Sequence, residues 1–141
     1  TTEKTPFEIG KATIFREGKD VTIIGCGMLL YNALLAAEEL SKEGIEAAVI
    51  NSHTVKPLDV TTILNSVKET KAVVTVEEHQ IAGGLGSVVA EALSQNFPAP
   101  QEFIGVYDRF GESGEPSELI EHFGMGISHI KVAALKVIKR K

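Results

Sequence analysis

The most constraining feature of the chain is a buried strand that runs into acidic residues, a glycine turn and the start of a helix, all between Val73 and Val89. Glycine lets backbone N–H groups come close to whatever lies above a strand, and the unpaired donors of a first helical turn favour negative charge. The pattern is therefore typical of an anion site. Its candidate residues are Glu77, Glu78, His79, Gly83, Gly84, Gly86 and Ser87.

The rest of the chain alternates short apolar runs with segments of helical periodicity. Strands that alternate with helices predict a mostly parallel sheet with helices on both faces, a three-layer α/β/α fold. The tight turn Glu17–Asp20 further predicts that the first two strands pair antiparallel. The predicted strands are Lys11–Arg16, Val21–Ile24, Ile45–Asn51, Ala72–Val76 and Glu102–Val106, and the predicted helices are Met28–Lys42, Val60 to about Glu69, Gly86–Phe97, Pro116–Gly124 and one that begins with Ser128 as its N-cap.

Composition fits one domain of 141 residues with a real core, because 43% of the residues are hydrophobic and 23% are charged. The formal net charge of -5 argues against a nucleic-acid partner, which would require a basic stripe. No apolar run is long enough to span a bilayer, and the single cysteine, Cys26, excludes an internal disulfide. The chain begins at Thr1 without methionine or signal peptide, so we expect a cytoplasmic protein or a piece of a longer one.

Several catalytic interpretations are weaker than their structural alternatives. Gly25–Gly27 follows a strand but lacks the third glycine and the ribose-binding acid of a dinucleotide site, which favours a structural turn. Glu77 and Glu78 are adjacent in a strand and point to opposite faces, so they should not act as an acid/base pair. Ser87 lacks the Gly-x-Ser-x-Gly elbow of a nucleophile that His79 would activate, and it is predicted to cap the helix.

Neither the histidines nor the single cysteine has the spacing of a metal site, so we predict no metal ligands and no catalytic residues in this chain. A polar loop follows the last predicted strand, at the sheet edge where open α/β sheets place ligands or subunit contacts. We predict that it is an interface loop, formed by Asp108, Arg109, Phe110, Gly111, Glu112 and Ser113.

The acidic residues and glycine turn described first resemble the signature of the C-terminal domain of thiamine diphosphate-dependent transketolases. The resemblance extends from Thr5 to about Lys139 and is also carried by Thr5–Ala12, Lys56–Asp59 and Phe110–Pro116. It implies a five-stranded mixed sheet whose first strand is antiparallel. It also implies that residues 1–10 are a linker from a missing upstream domain and that residues 11–141 are the domain itself.

The resemblance also implies what the chain lacks. In this family thiamine diphosphate and a divalent metal, Mg or Ca, lie between two other domains, so no cofactor is expected in this chain and the chain alone should be inactive. The parent enzyme would transfer a two-carbon ketol unit between sugar phosphates, as in the pentose phosphate pathway. The implied roles of the domain are subunit packing and regulation, and the implied partners are the pyrimidine- and diphosphate-binding domains or subunit, in a homo-oligomer or heteromer without nucleic acid or membrane.

Two alternatives remain open. One is a free-standing module that binds an anion or small molecule at the Gly83–Ser87 turn. The other is the C-terminal domain of a 2-oxo acid dehydrogenase E1 beta subunit or of a deoxyxylulose-phosphate synthase, although Phe110–Pro116 favours transketolases over both. For the turn itself we predict a structural role, in which the carboxylates of Glu77 and Glu78 occupy the helix donors and repel a phosphate.

Overall fold

The computed structural model describes residue 3 and residues 5–141. Five strands and five helices lie in that part of the chain. The strands are β1 (Thr13–Arg16), β2 (Val21–Gly25), β3 (Ala47–Asn51), β4 (Val73–Gln80) and β5 (Gln101–Val106). The helices are α1 (Leu29–Lys42), α2 (Val60–Thr70), α3 (Leu85–Asn96), α4 (Pro116–His122) and α5 (Ile127–Ile138).

The five strands form one sheet in the order β1-β3-β2-β4-β5. β3, β2, β4 and β5 are parallel to one another, and β1 runs antiparallel to β3 at one edge. Helices cover both faces of the sheet, as right-handed crossovers between parallel strands require. The predicted three-layer α/β/α fold with a mixed sheet and an antiparallel first strand is confirmed.

The pairing partner of β1 differs from the prediction, because β1 pairs with β3 and does not pair with β2. The turn after β1 crosses the beginning of β3, where the N–H groups of Lys19 and Asp20 donate to the carbonyl of Glu46. Gly18 passes so close to the backbone of β3 that a Cβ atom there would clash with it. The turn therefore carries the chain across β3. As a result, β1 and β2 are not neighbours in the sheet, although only a short loop joins them.

Two hydrophobic cores lie on opposite faces of the sheet. Adjacent residues of a strand serve different cores, as Ile23 and Ile24 do in β2, because successive side chains point to opposite faces. α1 and α5 cover the first core, and α2 and α3 cover the second. This double burial explains why β2 is a continuous apolar run without alternation.

Several predicted boundaries shift by a few residues. β4 extends past Val76 to Gln80, so the acidic residues belong to the strand, and an irregularity between these two positions interrupts its pairing with β5. α5 begins at Ile127 with Gly126 as its N-cap, so the prediction that Ser128 caps this helix is wrong. Of the predicted linker, Thr1, Thr2 and Lys4 lie outside the described residues.

Candidate functional site

The carboxylate of Glu77 fills the beginning of α3. Its Oε2 atom accepts a hydrogen bond from the N–H of Leu85 at 2.7 Å, and its Oε1 atom accepts one from the N–H of Gly86 at 2.8 Å. The side chain is buried, with 2% of the residue exposed. Two donors that an external anion would need are therefore occupied by a residue of the chain.

The glycines of the turn allow this close approach. Gly83 has φ of +84°, which favours glycine, and Gly84 is extended but lies against Glu77, so that an added Cβ would clash with the carboxylate. A Cβ on Gly86 would lie 2.6 Å from the ring of Phe103 and 2.8 Å from Oγ1 of Thr75. Gly83 therefore serves the backbone conformation, and the other two glycines permit tight packing against the carboxylate and the sheet.

Ser87 closes the turn from the other side. Its Oγ atom accepts from the N–H of Gly83 at 2.9 Å and donates to the carbonyl of Ile81 at 2.8 Å. Since the N-cap of α3 is Gly84, the prediction that Ser87 caps this helix is wrong. The hydroxyl instead holds the two ends of the turn together.

The remaining candidates do not join this cluster. Glu78 is exposed, so only Glu77 of the predicted pair occupies the helix donors. The side chain of His79 is 64% exposed; its Nδ1 lies 2.8 Å from the carbonyl of Gln80 and 3.9 Å from the Glu77 carboxylate. The structure therefore brings together Glu77, Gly83, Gly84, Gly86 and Ser87, and leaves Glu78 and His79 outside.

No arrangement near the turn resembles a nucleophile with its base. The hydroxyl of Ser87 is engaged with backbone groups and not with His79. Burial and the charge of Glu77 raise the pKa of the Cys26 thiol, which holds this half-buried cysteine in the unreactive thiol form. Among the described residues, no group of three or more histidine, cysteine, aspartate or glutamate side chains is placed to hold a metal.

The predicted interface loop is exposed from Asp108 to Ser113 and is fixed at its base by Gln80. The side-chain amide of Gln80 donates to the carbonyl of Arg109 at 3.0 Å, and its oxygen accepts from the N–H of Asp108 at 3.0 Å. The loop is thus ordered where it leaves the sheet, although its side chains face outward. Sequence reasoning did not identify Gln80 as the residue that anchors this loop.

A second set of contacts ties the loop to α4. Nη2 of Arg109 lies 3.2 Å from Oε1 of Glu112 and 3.1 Å from Nε2 of His122. Oε1 of Glu112 and Nε2 of His122 are 3.0 Å apart. The Arg109 guanidinium also lies 5.1 Å from the centre of the Phe123 ring. This cluster could not be predicted from the sequence, because the loop residues and the end of α4 are separated in the chain.

Between this loop and α4 lies a groove of about 410 Å³. Most of its lining is apolar, and its polar rim includes Glu78, Arg109 and Glu112. It opens beside the carboxyl ends of β4 and β5, where open α/β sheets place their functional surfaces. The groove was not predicted, because it exists only where α4 packs beside the sheet.

The described part of the chain contains no helix long and apolar enough to cross a membrane.

Comparisons with known proteins identify the family of the chain. A family model described as "Transketolase, C-terminal domain" matches residues 10–130. The 6-deoxy-6-sulfo-D-fructose transketolase subunit SqwH of Clostridium sp. strain MSTE9 is 49% identical over 99% of this chain and 43% of its own length.

Two further matches extend the comparison. A 1-deoxy-D-xylulose-5-phosphate synthase of Desulfitobacterium hafniense strain DSM 10664 / DCB-2 is 42% identical over 99% of this chain and 23% of its own length, so similarity extends to a class that the loop sequence was expected to disfavour. A solved structure titled "Split gene transketolase, inactive beta4 tetramer" superposes with a TM-score of 0.94 at 42% identity, covering 99% of this chain and 46% of that one.

The chain spans less than half the length of each of these relatives. The family model extends from residue 10 to residue 130, so the matched residues nevertheless include the complete sheet, the glycine turn, the interface loop and the start of α5. The resemblance seen in the sequence is confirmed. This chain belongs to the transketolase C-terminal domain family.

Proposed function

We propose that the chain is the C-terminal packing domain of a thiamine diphosphate-dependent transketolase, with residues 1–10 as a linker and residues 11–141 as the domain. The observation that carries the proposal is the buried Glu77 carboxylate, which fills the anion-binding geometry of the glycine turn. Because Glu77 takes the donors at this helix start, we assign the binding of the reacting groups to other domains. Its proposed partners are the domains or subunit that bind the pyrimidine and diphosphate of the cofactor.

At the glycine turn, the residues present do not fit the diphosphate of thiamine diphosphate or its metal. A diphosphate needs free donors at a helix start, and those of α3 are taken by Glu77. A divalent metal needs several ligands, and the described part of the chain contains no group of three or more histidine, cysteine, aspartate or glutamate side chains placed to supply them. The proposal therefore assigns no catalytic step to these residues.

The parent reaction would be transfer of a two-carbon ketol unit between sugar phosphates, as in the pentose phosphate pathway. The relatives include a 6-deoxy-6-sulfo-D-fructose transketolase subunit and a 1-deoxy-D-xylulose-5-phosphate synthase, which differ in their sugars, so we propose the ketol transfer without naming its donor and acceptor sugars. A cytoplasmic parent and a homo-oligomer or heteromer stay predictions of the sequence. The similar solved structure is a tetramer, which supports the proposal that this protein also works as part of an oligomer.

Exposed apolar side chains support a packing role. Phe7, Tyr31 and Phe110 are 67%, 66% and 97% exposed, and β1 presents Phe15 at a sheet edge. Exposed apolar groups that lie together, as Phe7 and Phe15 do in one cleft, are characteristic of protein interaction surfaces. They are what a domain cut from a larger assembly would show.

Activity measurements test the proposal directly. The purified chain, incubated with thiamine diphosphate, Mg²⁺ and pairs of sugar phosphates, should show no ketol transfer, with an intact transketolase as the positive control. Calorimetry with thiamine diphosphate should show no saturable heat. Turnover by the chain alone would overturn the assignment of catalysis to other domains.

The alternative of an anion-binding or regulatory module is weakened by the same carboxylate. A phosphate at the Gly83–Ser87 turn would have to displace Glu77, whose charge repels it. Titration with sugar phosphates and nucleotides should leave the amide resonances of residues 83–88 unchanged. Saturable shifts at micromolar ligand would instead support the binding module.

A further inference from the structure

The groove beside α4 has the character of a protein docking surface. Its floor and walls are the apolar side chains Val106, Pro116, Leu119, Ile120, Phe123 and Met125. Three of the four polar side chains that line the groove are already engaged, since the Gln80 amide holds the loop and Arg109 pairs with Glu112. An apolar side chain of a polypeptide fits such a lining better than a small polar molecule does.

A fully exposed aromatic ring stands next to this groove. Phe110 is 97% exposed, although its neighbours Arg109 and Gly111 line the groove. The loop that carries Phe110 is fixed by both hydrogen bonds of Gln80 and by the contacts of Arg109 with Glu112 and His122. The ring is therefore presented in advance of binding, which lowers the entropic cost of using it as an anchor.

The charge around the groove identifies the chemistry of the partner. The surface formed by Glu78 and residues 107–122 carries six carboxylates and one guanidinium, of which Glu78, Glu112 and Arg109 line the groove and the others belong to the adjoining loop and helix. Its formal charge of -5 equals the net charge of the whole chain, so the remaining surface is neutral on balance. The carboxylates belong to Glu78, Asp108, Glu112, Glu115, Glu118 and Glu121.

We propose that this acidic groove binds a polypeptide partner that carries lysine or arginine side chains around an apolar side chain. The apolar side chain enters the groove, Phe110 inserts into the partner, and the cations face the exposed carboxylates of the adjoining loop and helix. Complementary charge of this kind guides association and selects the partner. The proposal rests on the packing role proposed above and identifies the chemistry of one partner surface.

A second copy of the chain is disfavoured as the occupant. A symmetric contact would place two acidic grooves against each other, and like charges in one interface are destabilising. A bilayer with anionic headgroups is disfavoured for the same reason. A basic partner is the occupant for which both the apolar lining and the charge are favourable.

Matched synthetic peptides test this chemistry. An amphipathic peptide of leucine and lysine should bind and shift the amide resonances of Glu78, Gln80 and residues 106–123, whereas its leucine–glutamate counterpart should not. Affinity should fall as NaCl is raised from low to physiological concentration and above, because screening weakens contacts between exposed charges. Phe110→Ala should weaken binding by about tenfold or more.

Charge variants provide the control. Glu115→Gln with Glu118→Gln should weaken binding several-fold and reduce its salt dependence, whereas Glu69→Gln with Glu91→Gln, which removes two exposed charges on α2 and α3, should not. Absence of lysine-peptide binding, equal binding of the two peptides, shifts on another surface, or insensitivity to Phe110→Ala would overturn the proposal. Self-association that is lost in Phe110→Ala without peptide binding would show that the occupant is a second copy. Each of these results is independent of the turnover assay.

Discussion

At the residue scale, one buried carboxylate determines how the glycine turn behaves. Glu77 belongs to β4 and bridges to the first two residues of α3, so a strand and the following helix share one charged hydrogen-bonding group. Hydrogen bonds to a charged acceptor are stronger than neutral ones, and unpaired buried donors are costly. The turn is thus closed by chemistry that also excludes a competing anion.

Glu77→Ala should lower the free energy of unfolding by about 2 kcal/mol or more, because it leaves two buried N–H groups without an acceptor. Glu78→Ala removes the same side chain from an exposed neighbour and should change stability by no more than about 0.5 kcal/mol. Urea unfolding of both variants measures the difference. Equal effects would show that the capping contacts contribute little.

Gly84→Val should destabilise the fold by at least about 1 kcal/mol. Its backbone is extended, with φ of -91°, so the cost comes from the clash of the new side chain with Glu77. Gly111→Val is the matched control, because a Cβ there meets nothing within 4 Å. Thermal and urea unfolding of the two variants should separate clearly, and similar stabilities would contradict the packing explanation.

At the element scale, Asp59 connects the residue that precedes β1, Ala12, to the first turn of α2. Its carboxylate accepts hydrogen bonds from the N–H of Ala12 at 2.9 Å, and from the N–H and hydroxyl of Thr62 at 3.1 and 2.8 Å. Burial raises the pKa of the Asp59 carboxyl, but these hydrogen bonds outweigh burial and hold it below the ordinary value of 3.8. The ionised form therefore stabilises the edge of the sheet.

The contribution of Asp59 should depend on pH with a defined sign. Because its pKa is lower in the folded state, its stabilisation is complete above pH 3.8 and is lost as the pH falls through the folded value. Asp59→Asn should cost about 1 kcal/mol at pH 7, since one amide oxygen cannot accept all three hydrogen bonds. Urea unfolding between pH 7 and pH 3 should show that the difference in unfolding free energy between the wild type and Asp59→Asn, the stability gap, narrows only at the acidic end. Glu91→Gln, on the exposed face of α3, should show no such change, and a gap that widens in acid would contradict the assignment.

At the scale of the whole molecule, one sheet separates two hydrophobic cores, and its strands contribute side chains to both of them. Ile130 of α5 and Ile63 of α2 are fully buried in different layers. Both layers pack on the same central strands, so loss of either core should destabilise the complete domain. The two layers are expected to unfold together.

Ile63→Ala and Ile130→Ala should each lower the free energy of unfolding by about 2–5 kcal/mol. Val132→Ala on the exposed face of α5 is the control and should change it by no more than about 0.5 kcal/mol. Unfolding curves followed by circular dichroism and by hydrogen exchange in each layer should coincide. A layer that opens separately would contradict the shared-sheet interpretation.

The sequence by itself determined the order and type of the elements, the mixed sheet and the family. Apolar periodicity and glycine positions are local signals, so they predict helices, parallel strands and turns without knowledge of the packing. The role of Glu77 as an internal cap could also be predicted, because the acidic residue and the helix start are close in the chain. Boundaries were less certain: β4 extends past Val76, and Ser87 and Ser128 are not caps.

Only the tertiary structure decided which strand pairs with β1, and which residues surround the groove. β1 reaches β3 because its turn crosses that strand, a result that depends on the close packing of Gly18 and not on loop length. The groove joins Gln80, the loop around Phe110 and Phe123, which are distant in the sequence. Such contacts depend on packing between elements, and no local pattern in the chain encodes them.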